Sequence, residues 1–294
     1  MAFKENYLLS VVVPVGQLNG EISALQSWIS IVNNVQVIMV LDHIDDKTRE
    51  AIYLASALTN HPGIQIFEVD FRNPGDSRNF GLSKATGTWI LFADADDVPQ
   101  ISDIEEAIHS TKDTADIIVG NFETLAVKTG KRTKHEAENL QDLIKRLPKN
   151  LGLWRFVFRH QYLRESGVQF PPLCMAEDQV FYLELNPRET QFEFANLVFY
   201  SYHVGNIFQL TNDPEKIQDL RVAINLSLQK ISQQQTFRNL DFLAAQIFAL
   251  LGNSSQRHLI GNLLFLLGIS PKIISLFGIG KLILISTYPV RRLR

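Results

Sequence analysis

The chain has 294 residues, 46% of them hydrophobic, which is enough to bury a sizeable core and too apolar for a disordered protein. A formal net charge of -3 gives no whole-chain attraction for phosphate backbones, so nucleic acid is excluded as an expected partner and any anionic ligand must be held locally. The single cysteine, Cys174, rules out an internal disulfide, and the N-terminus lacks a secretory signal's long apolar run, so a reducing, cytoplasmic setting is expected.

From residue 8 to about residue 119, short apolar runs alternate with helical periodicity. This pattern predicts an α/β fold with a doubly wound, mainly parallel sheet. Leu9 to Val13 reads as the first strand, ending at Pro14, and Ile22, Leu25, Ile29 and Val32 share one helical face before the second strand, Val35 to Leu41. A helix over about Thr48 to Leu58 leads to a third strand, Ile64 to Val69. Ser77 is placed to cap a helix running to about Lys84, Gly87 suits its exit, and Thr88 to Ala93 forms the fourth strand. Ile101, Ile104, Ala107 and Ile108 mark another amphipathic helix, followed by a strand over Ala115 to Val119.

Ligands of such sheets bind at the carboxyl ends of the strands. Three polar stretches fall there: Asp42, Asp45 and Asp46 after the second strand, Arg72 to Asn79 after the third, and Asp94-Ala95-Asp96-Asp97 after the fourth. Asp94 and Asp96, two apart at a strand end, can project the same way and attract a cation. Mn2+ or Mg2+ takes one or two protein carboxylates and completes its shell with water and phosphate oxygens. The competing interpretation is a solvated, helix-capping turn. A glycine-rich Walker loop is missing, which argues against a P-loop ATPase.

The block from Asn73 through Arg78-Asn79-Phe80-Gly81 to Asp94-Ala95-Asp96-Asp97 resembles the central block of family 2 glycosyltransferases, enzymes of the GT-A fold. Ser10 to Val15 resembles the family's opening strand, and Met175-Ala176-Glu177-Asp178-Gln179 is similar to its Glu-Asp motif. The resemblance covers roughly residues 8 to 211 and implies an inverting, metal-assisted transfer of a sugar from a nucleoside diphosphate, UDP foremost, to a saccharide or lipid-linked acceptor. It implies donor contacts at Pro14, Asp42, Arg78 and Asp94, a metal ligand at Asp96, a general base at Asp178 and an acceptor contact at Glu177. Asp97 is expected as a helix cap, and His203, after an aromatic strand from Phe192 to Tyr202, as a further metal or phosphate contact. Trp154, Phe156, Phe158 and Tyr162 are expected to pack the core or the acceptor side, and Arg155 and Arg159 to lie on a solvated strand face. A cell-surface polysaccharide role follows by family analogy. A sugar nucleotidyltransferase and a non-catalytic, membrane-associated scaffold are the rivals. The first should carry a basic, glycine-rich loop where Val15-Gly-Gln-Leu-Asn-Gly20 stands, and intact Asp96 and Asp178 argue against the second.

The expected organisation is a catalytic domain over residues 1-212, with a nucleotide-sugar half over about 1-120 and an acceptor half over about 121-212, and a helical C-terminal extension over 213-294. Beyond Asp241 the extension contains no acidic residue and retains Arg257, Lys272, Lys281, Arg291, Arg292 and Arg294. Asn262, Pro271, Gly278 and Lys281 interrupt its apolar runs, so no simple membrane span is expected. Two roles stay open: a basic amphipathic tail in the headgroup plane, or a helical subdomain that packs on the catalytic core or forms a homodimer.

Overall fold

The computed structural model describes residues 7-29, 34-59, 61-147, 151-185, 190-205, 216-234, 240-252 and 256-277. In chain order the strands are β1 (Leu9–Val15), β2 (Val35–Asp42), β3 (Ile64–Val69), β4 (Trp89–Phe92), β5 (Val98–Pro99), β6 (Ile117–Ala126), β7 (Lys131–His135), β8 (Phe156–Arg159) and β9 (Phe192–Val204). The helices are α1 (Ser23–Ile29), α2 (Asp46–Thr59), α3 (Pro74–Lys84), α4 (Ile101–Ser110), α5 (Leu140–Arg146), α6 (His160–Ser166), α7 (Glu177–Glu184), α8 (Asp219–Gln234), α9 (Leu240–Gly252) and α10 (Gln256–Phe277).

Tertiary contacts divide the chain into two compact units. The first holds all nine strands, in the order β3-β2-β1-β4-β8-β6-β9-β5, with β7 paired to β6. β3, β2, β1 and β4 run parallel, so their carboxyl ends share one edge. Beyond β4 the pairing is mixed: β8 is antiparallel to β4 and β6, β9 runs parallel to β6, and β5 is antiparallel to β9. The central strands carry unbroken apolar runs because they are covered on both faces. Every residue of β2 and β4 is buried, and in β1 only Pro14 is partly open.

Two polar residues interrupt that apolar centre, and they pair with each other. Ser10 and Gln36 stand opposite in the β1–β2 register, and the Ser10 hydroxyl donates to Gln36 Oε1 at 2.6 Å. Oε1 also accepts from the Thr86 N–H at 2.8 Å, Nε2 donates to the Lys84 carbonyl at 3.2 Å, and the Gly87 N–H donates to the Ser10 hydroxyl at 2.8 Å. The link from α3 into β4 is thereby fastened to the middle of the sheet. Only glycine fits at position 87, since a Cβ there would lie 2.6 Å from the Ser10 backbone nitrogen. Gly81 serves the same closeness for α3, where a Cβ would lie 2.4 Å from Val12 Cγ1.

α3 starts one turn earlier than the sequence predicts. Asn73, not Ser77, is the cap, accepting from the Asp76 N–H at 2.8 Å, and Pro74 occupies the first turn, where its missing N–H is harmless. Ser77 lies buried inside the helix. The fifth predicted strand runs on as β6 to Ala126 and pairs with β7.

The second unit gathers Phe170–Glu184 with α8, α9 and α10. α7, expected in the acceptor half, is therefore grouped with the C-terminal helices. Leu173 and Val180 pack on Ala223 of α8, Tyr182 tilts against Phe242 of α9 at 5.3 Å between centroids, and Glu184 pairs with Lys230 at 2.6 Å. Cys174 is bound in the same cluster, its N–H donating to Asp219 Oδ2 at 2.7 Å, and burial raises its thiol pKa.

Replacing Gln36 by Leu strands the Thr86 N–H and the Ser10 hydroxyl in an apolar environment, so Gln36→Leu should cost about 2–3 kcal/mol in denaturant unfolding. An unchanged midpoint would show that this network is dispensable.

Candidate active site

The carboxyl end of β4 delivers three carboxylates within four residues, and each meets a different environment. Asp94 is ion-paired with Arg78 of α3, Nη2 to Oδ1 at 2.8 Å, with the arginine side chain 10% and the aspartate 34% exposed. Its backbone N–H donates to the Tyr200 hydroxyl on β9 at 2.8 Å. Asp96 is half-buried. Asp97 is fully buried and does not cap a helix, contrary to expectation. Gln100 precedes α4, and β5 intervenes. Asp97 Oδ1 accepts from the His203 N–H at 2.7 Å, whereas Oδ2 is buried without a hydrogen-bond partner among the described residues. Burial, and then the charges of Asp96 and Asp94, push the Asp97 carboxyl well above the usual carboxylate range; hydrogen bonds from the His203 N–H and the Tyr200 hydroxyl oppose the shift.

Asp42, at the end of β2, is a buried anchor. Its Oδ1 accepts from the Arg72 N–H at 2.8 Å, and Oδ2 accepts from the Asn73 N–H at 3.0 Å and the Ser77 hydroxyl at 2.9 Å. Three of the roughly four acceptor positions of a carboxylate are thus filled from within the protein. The geometry gives Asp42 the task of holding the turn that starts α3, and through it Arg78, before any contact with a base. The flanking residues His43 and Arg72 adopt positive φ of 51° and 62°, which non-glycine residues take only when their surroundings enforce it. Asp45 pins the neighbouring loop, accepting from the Thr48 N–H at 2.9 Å and the Asn19 N–H at 3.0 Å.

Pro14 sits where its missing N–H does no damage. The Val12 carbonyl accepts from the Ala93 N–H, so Pro14, two residues on, turns its peptide towards the same side, where β4 pairing has stopped at Val12–Phe92. His203 meets Asp96 through the backbone: its ring is hydrogen-bonded to the Asp96 carbonyl. Burial lowers its pKa, that hydrogen bond opposes the shift, and the charge of Arg132 adds to the lowering. The imidazole also lines a cavity of about 280 Å³ with Ser23, Ser27, Gln100, Arg132 and Ser201.

Trp154 is a core residue, stacked on Tyr200 at 4.3 Å, and Phe156 and Phe158 are fully buried. Tyr162 shares a hydrogen bond of 2.6 Å with Thr190. The expectation of a solvated face for Arg155 is corrected: it is 4% exposed, with its guanidinium 4.9 Å from the Phe122 ring centre. It ends a single 3-10 turn, Leu153–Arg155, rather than lying on a strand. Arg159 is also engaged by the protein, over Trp89 and donating to the Ala115 carbonyl at 2.6 Å.

In the second unit, Glu177 and Asp178 form the first turn of α7, where acidic residues suit the helix dipole. Glu177 is 7% exposed and Asp178 half-buried, with Oδ1 accepting from the Gln179 N–H at 2.8 Å. Ala176, immediately before them, has φ of 60°, so the acidic turn begins from a strained residue.

Among the described residues no group of three or more His, Cys, Asp or Glu side chains converges as a ready-made metal cage. The β4 cluster still fits a hard divalent ion that brings other ligands with it. Its donors are oxygens, one buried carboxylate oxygen has no partner among the described residues, and the mutual repulsion of the three acids would be relieved by a cation. Of the residues that frame the cluster, His203 was expected as a metal or phosphate contact and Asp97 as a helix cap, whereas Tyr200 was missed by sequence reading. The one available signal for the burial of Asp97 was its standing directly before the apolar Val98-Pro99 and Ile101.

A Rossmann-like sheet whose acidic β4 terminus is salt-bridged to Arg78 of the preceding helix, α3, is the arrangement expected of a GT-A glycosyltransferase. The model of "Glycosyl transferase family 2" matches residues 10–175, more than half of the chain, and the protein belongs to that family. The match ends just short of Glu177 and Asp178. EpsH of Bacillus subtilis (strain 168), named as a candidate glycosyltransferase, is 25% identical over 191 residues, covering 60% of this chain and 55% of that relative. The chain thus spans about half the length of the curated relative it matches. Two solved structures share the fold. S. aureus TarS 1-349 in complex with UDP-GlcNAc has a TM-score of 0.60 at 16% identity, covering 87% of each chain. The mannosyltransferase PcManGT of Pyrobaculum calidifontis, in complex with GDP-Man and Mn2+, has a TM-score of 0.58 at 14% identity, covering 98% of this chain and 81% of its own.

An amide at position 42 must point its NH2 at the Arg72 or the Asn73 N–H, so Asp42→Asn should lower stability by about 1–3 kcal/mol. Thermal melting with and without a nucleoside diphosphate checks this; wild-type melting would release Asp42 from its anchoring role. Ala176→Gly should relieve the positive φ and raise stability by roughly 1 kcal/mol, measured by urea unfolding, whereas a loss would show that Ala176 is not strained.

Proposed function

We propose that the protein transfers a sugar from a nucleoside-diphosphate donor, foremost a UDP-sugar, to a hydroxyl of a saccharide or lipid-linked acceptor, inverting the anomeric centre in one displacement. The observation that carries the reading is the Asp94–Asp96–Asp97 cluster at the β4 terminus, with Arg78 ion-paired to Asp94. The ligands named for TarS, UDP-GlcNAc, and for PcManGT, GDP-Man with Mn2+, support a nucleotide-sugar donor and a divalent cation. Asp96 would hold the cation, with Asp94 at the ribose; His203 is kept as a secondary contact, subordinate to its bond with the Asp96 carbonyl. When bound, the ion supplies positive charge to the departing diphosphate.

Arg78 adds fixed positive charge on the donor side, already oriented by Asp94 and by the Asp42-anchored turn. Pro14 and Asp42 complete the donor contacts in this reading. Asp178 removes the proton of the acceptor hydroxyl as its oxygen attacks the anomeric carbon. The new C–O bond forms while the bond to the diphosphate oxygen breaks, so the sugar passes to the acceptor and the nucleoside diphosphate leaves with the electron pair. Glu177 orients the acceptor. We assign the reaction to the cytoplasm, in keeping with the lone cysteine, and to the assembly of cell-surface polysaccharide.

The purified protein should slowly hydrolyse one member of a UDP- and GDP-sugar panel in the presence of Mn2+, releasing the nucleoside diphosphate. Asp96→Ala should reduce that rate by about 10²–10³-fold. Asp178→Asn should reduce acceptor transfer by about 10²–10⁴-fold while leaving calorimetric donor affinity nearly unchanged. Pyrophosphate release instead would indicate nucleotidyl transfer, and donor binding indifferent to Mn2+ would defeat the metal-assisted reading.

A further inference from the structure

α10 turns an apolar ridge towards solvent. Ile260, Leu263, Leu264, Leu267 and Ile274 are 71, 46, 63, 69 and 38% exposed, and their spacing of i, i+3, i+4, i+7 and i+14 places them on one helix face. The opposite face is the one engaged by the protein. Asn262 is fully buried, with Oδ1 accepting from Arg221 Nε of α8 at 2.6 Å, and Ile269 and Ile273 are buried beside it in sequence register. The Arg221 guanidinium also lies 5.8 Å from the Phe265 ring centre.

A helix on a soluble surface ordinarily points its apolar stripe inward, and a contiguous apolar surface left outside marks a contact. Charge identifies what it contacts. After Asp241 the sequence has no acidic residue, while Arg257, Lys272, Lys281, Arg291, Arg292 and Arg294 are all basic. A second copy would set those cations against their own kind, with no acid in the segment to answer them. An anionic lipid surface answers both features, acyl chains taking the ridge and headgroup phosphates the cations.

We propose that α10 lies in the plane of an anionic bilayer, ridge down, as the membrane-docking element of this protein. His258–Ser275 is long and apolar enough to cross a bilayer, with a mean hydropathy of 1.4. Spanning would take Arg221 and the helix that carries it into the hydrocarbon core, whereas lying in the plane keeps that hydrogen bond on the protein side. The basic residues after Phe277 lie outside the described residues and enter through their charge alone. The proposal is independent of the donor chemistry.

Flotation of the full chain with vesicles of phosphatidylcholine containing about one-third phosphatidylglycerol tests it, with pure phosphatidylcholine as the comparison. The protein should float with the anionic vesicles and much less with the neutral ones. The double variant Leu264→Asp, Leu267→Asp should lose at least about tenfold in vesicle partition while keeping the wild-type circular dichroism spectrum and melting curve. A protein that stays at the bottom of the gradient with anionic vesicles, or a double variant that floats as well as wild type, overturns the proposal. So does a wild-type dimer in sedimentation that the same variant converts to monomer, because the ridge would then be a subunit interface.

Discussion

A carboxylate with no exposure to water, one oxygen of which lacks a partner among the described residues, is the constraint around which the β4 terminus is organised. Burying Asp97 beside Asp94 and Asp96 is unfavourable, and the structure meets that cost with groups drawn from a strand more than a hundred residues away. The His203 N–H and the Tyr200 hydroxyl come from β9, and the same hydroxyl receives the Asp94 N–H. The parallel half of the sheet is thereby tied to its mixed half at the place where the three acids follow one another in the chain. Such a concentration of negative charge is a poor device for stability alone and a good one for receiving a cation together with a phosphate ligand.

The second organising group is Asp42. By accepting from two successive backbone N–H groups and from Ser77, it fixes where α3 begins, and the Asn73 cap and Pro74 reinforce the same start. Once that start is set, Arg78 falls within 2.8 Å of Asp94, and Gly81 lets the helix lie close enough to β1 for the pair to meet. An arginine held in this way would lose little freedom on meeting an anion, which is the physical meaning of preorganisation.

In the helical unit the interior is well matched around α7, where Leu173, Val180, Phe170, Phe181 and Tyr182 find apolar or aromatic neighbours. Among the described residues, the outer side of α10 leaves Ile260, Leu263, Leu264, Leu267 and Ile274 exposed. The same unit therefore combines an acidic first turn of α7, entered from a strained residue, with an exposed apolar ridge on α10.

The sequence by itself determined the parallel core and the chemistry offered at its edge. The apolar runs of β1, β2 and β4 admit little besides strands buried on both faces, and the run from Asn73 to Asp97, with its arginine and its acids, lies within the stretch that the family 2 model matches. Tertiary structure decided which polar groups meet. That Asp97 is buried beneath His203 instead of capping a helix, and that Arg155 turns in over Phe122, depend on contacts between residues far apart in the chain. Periodicity records which side chains are apolar, whereas the partner of a polar atom is set by register and packing, and these form only when β8 and β9 enter the sheet.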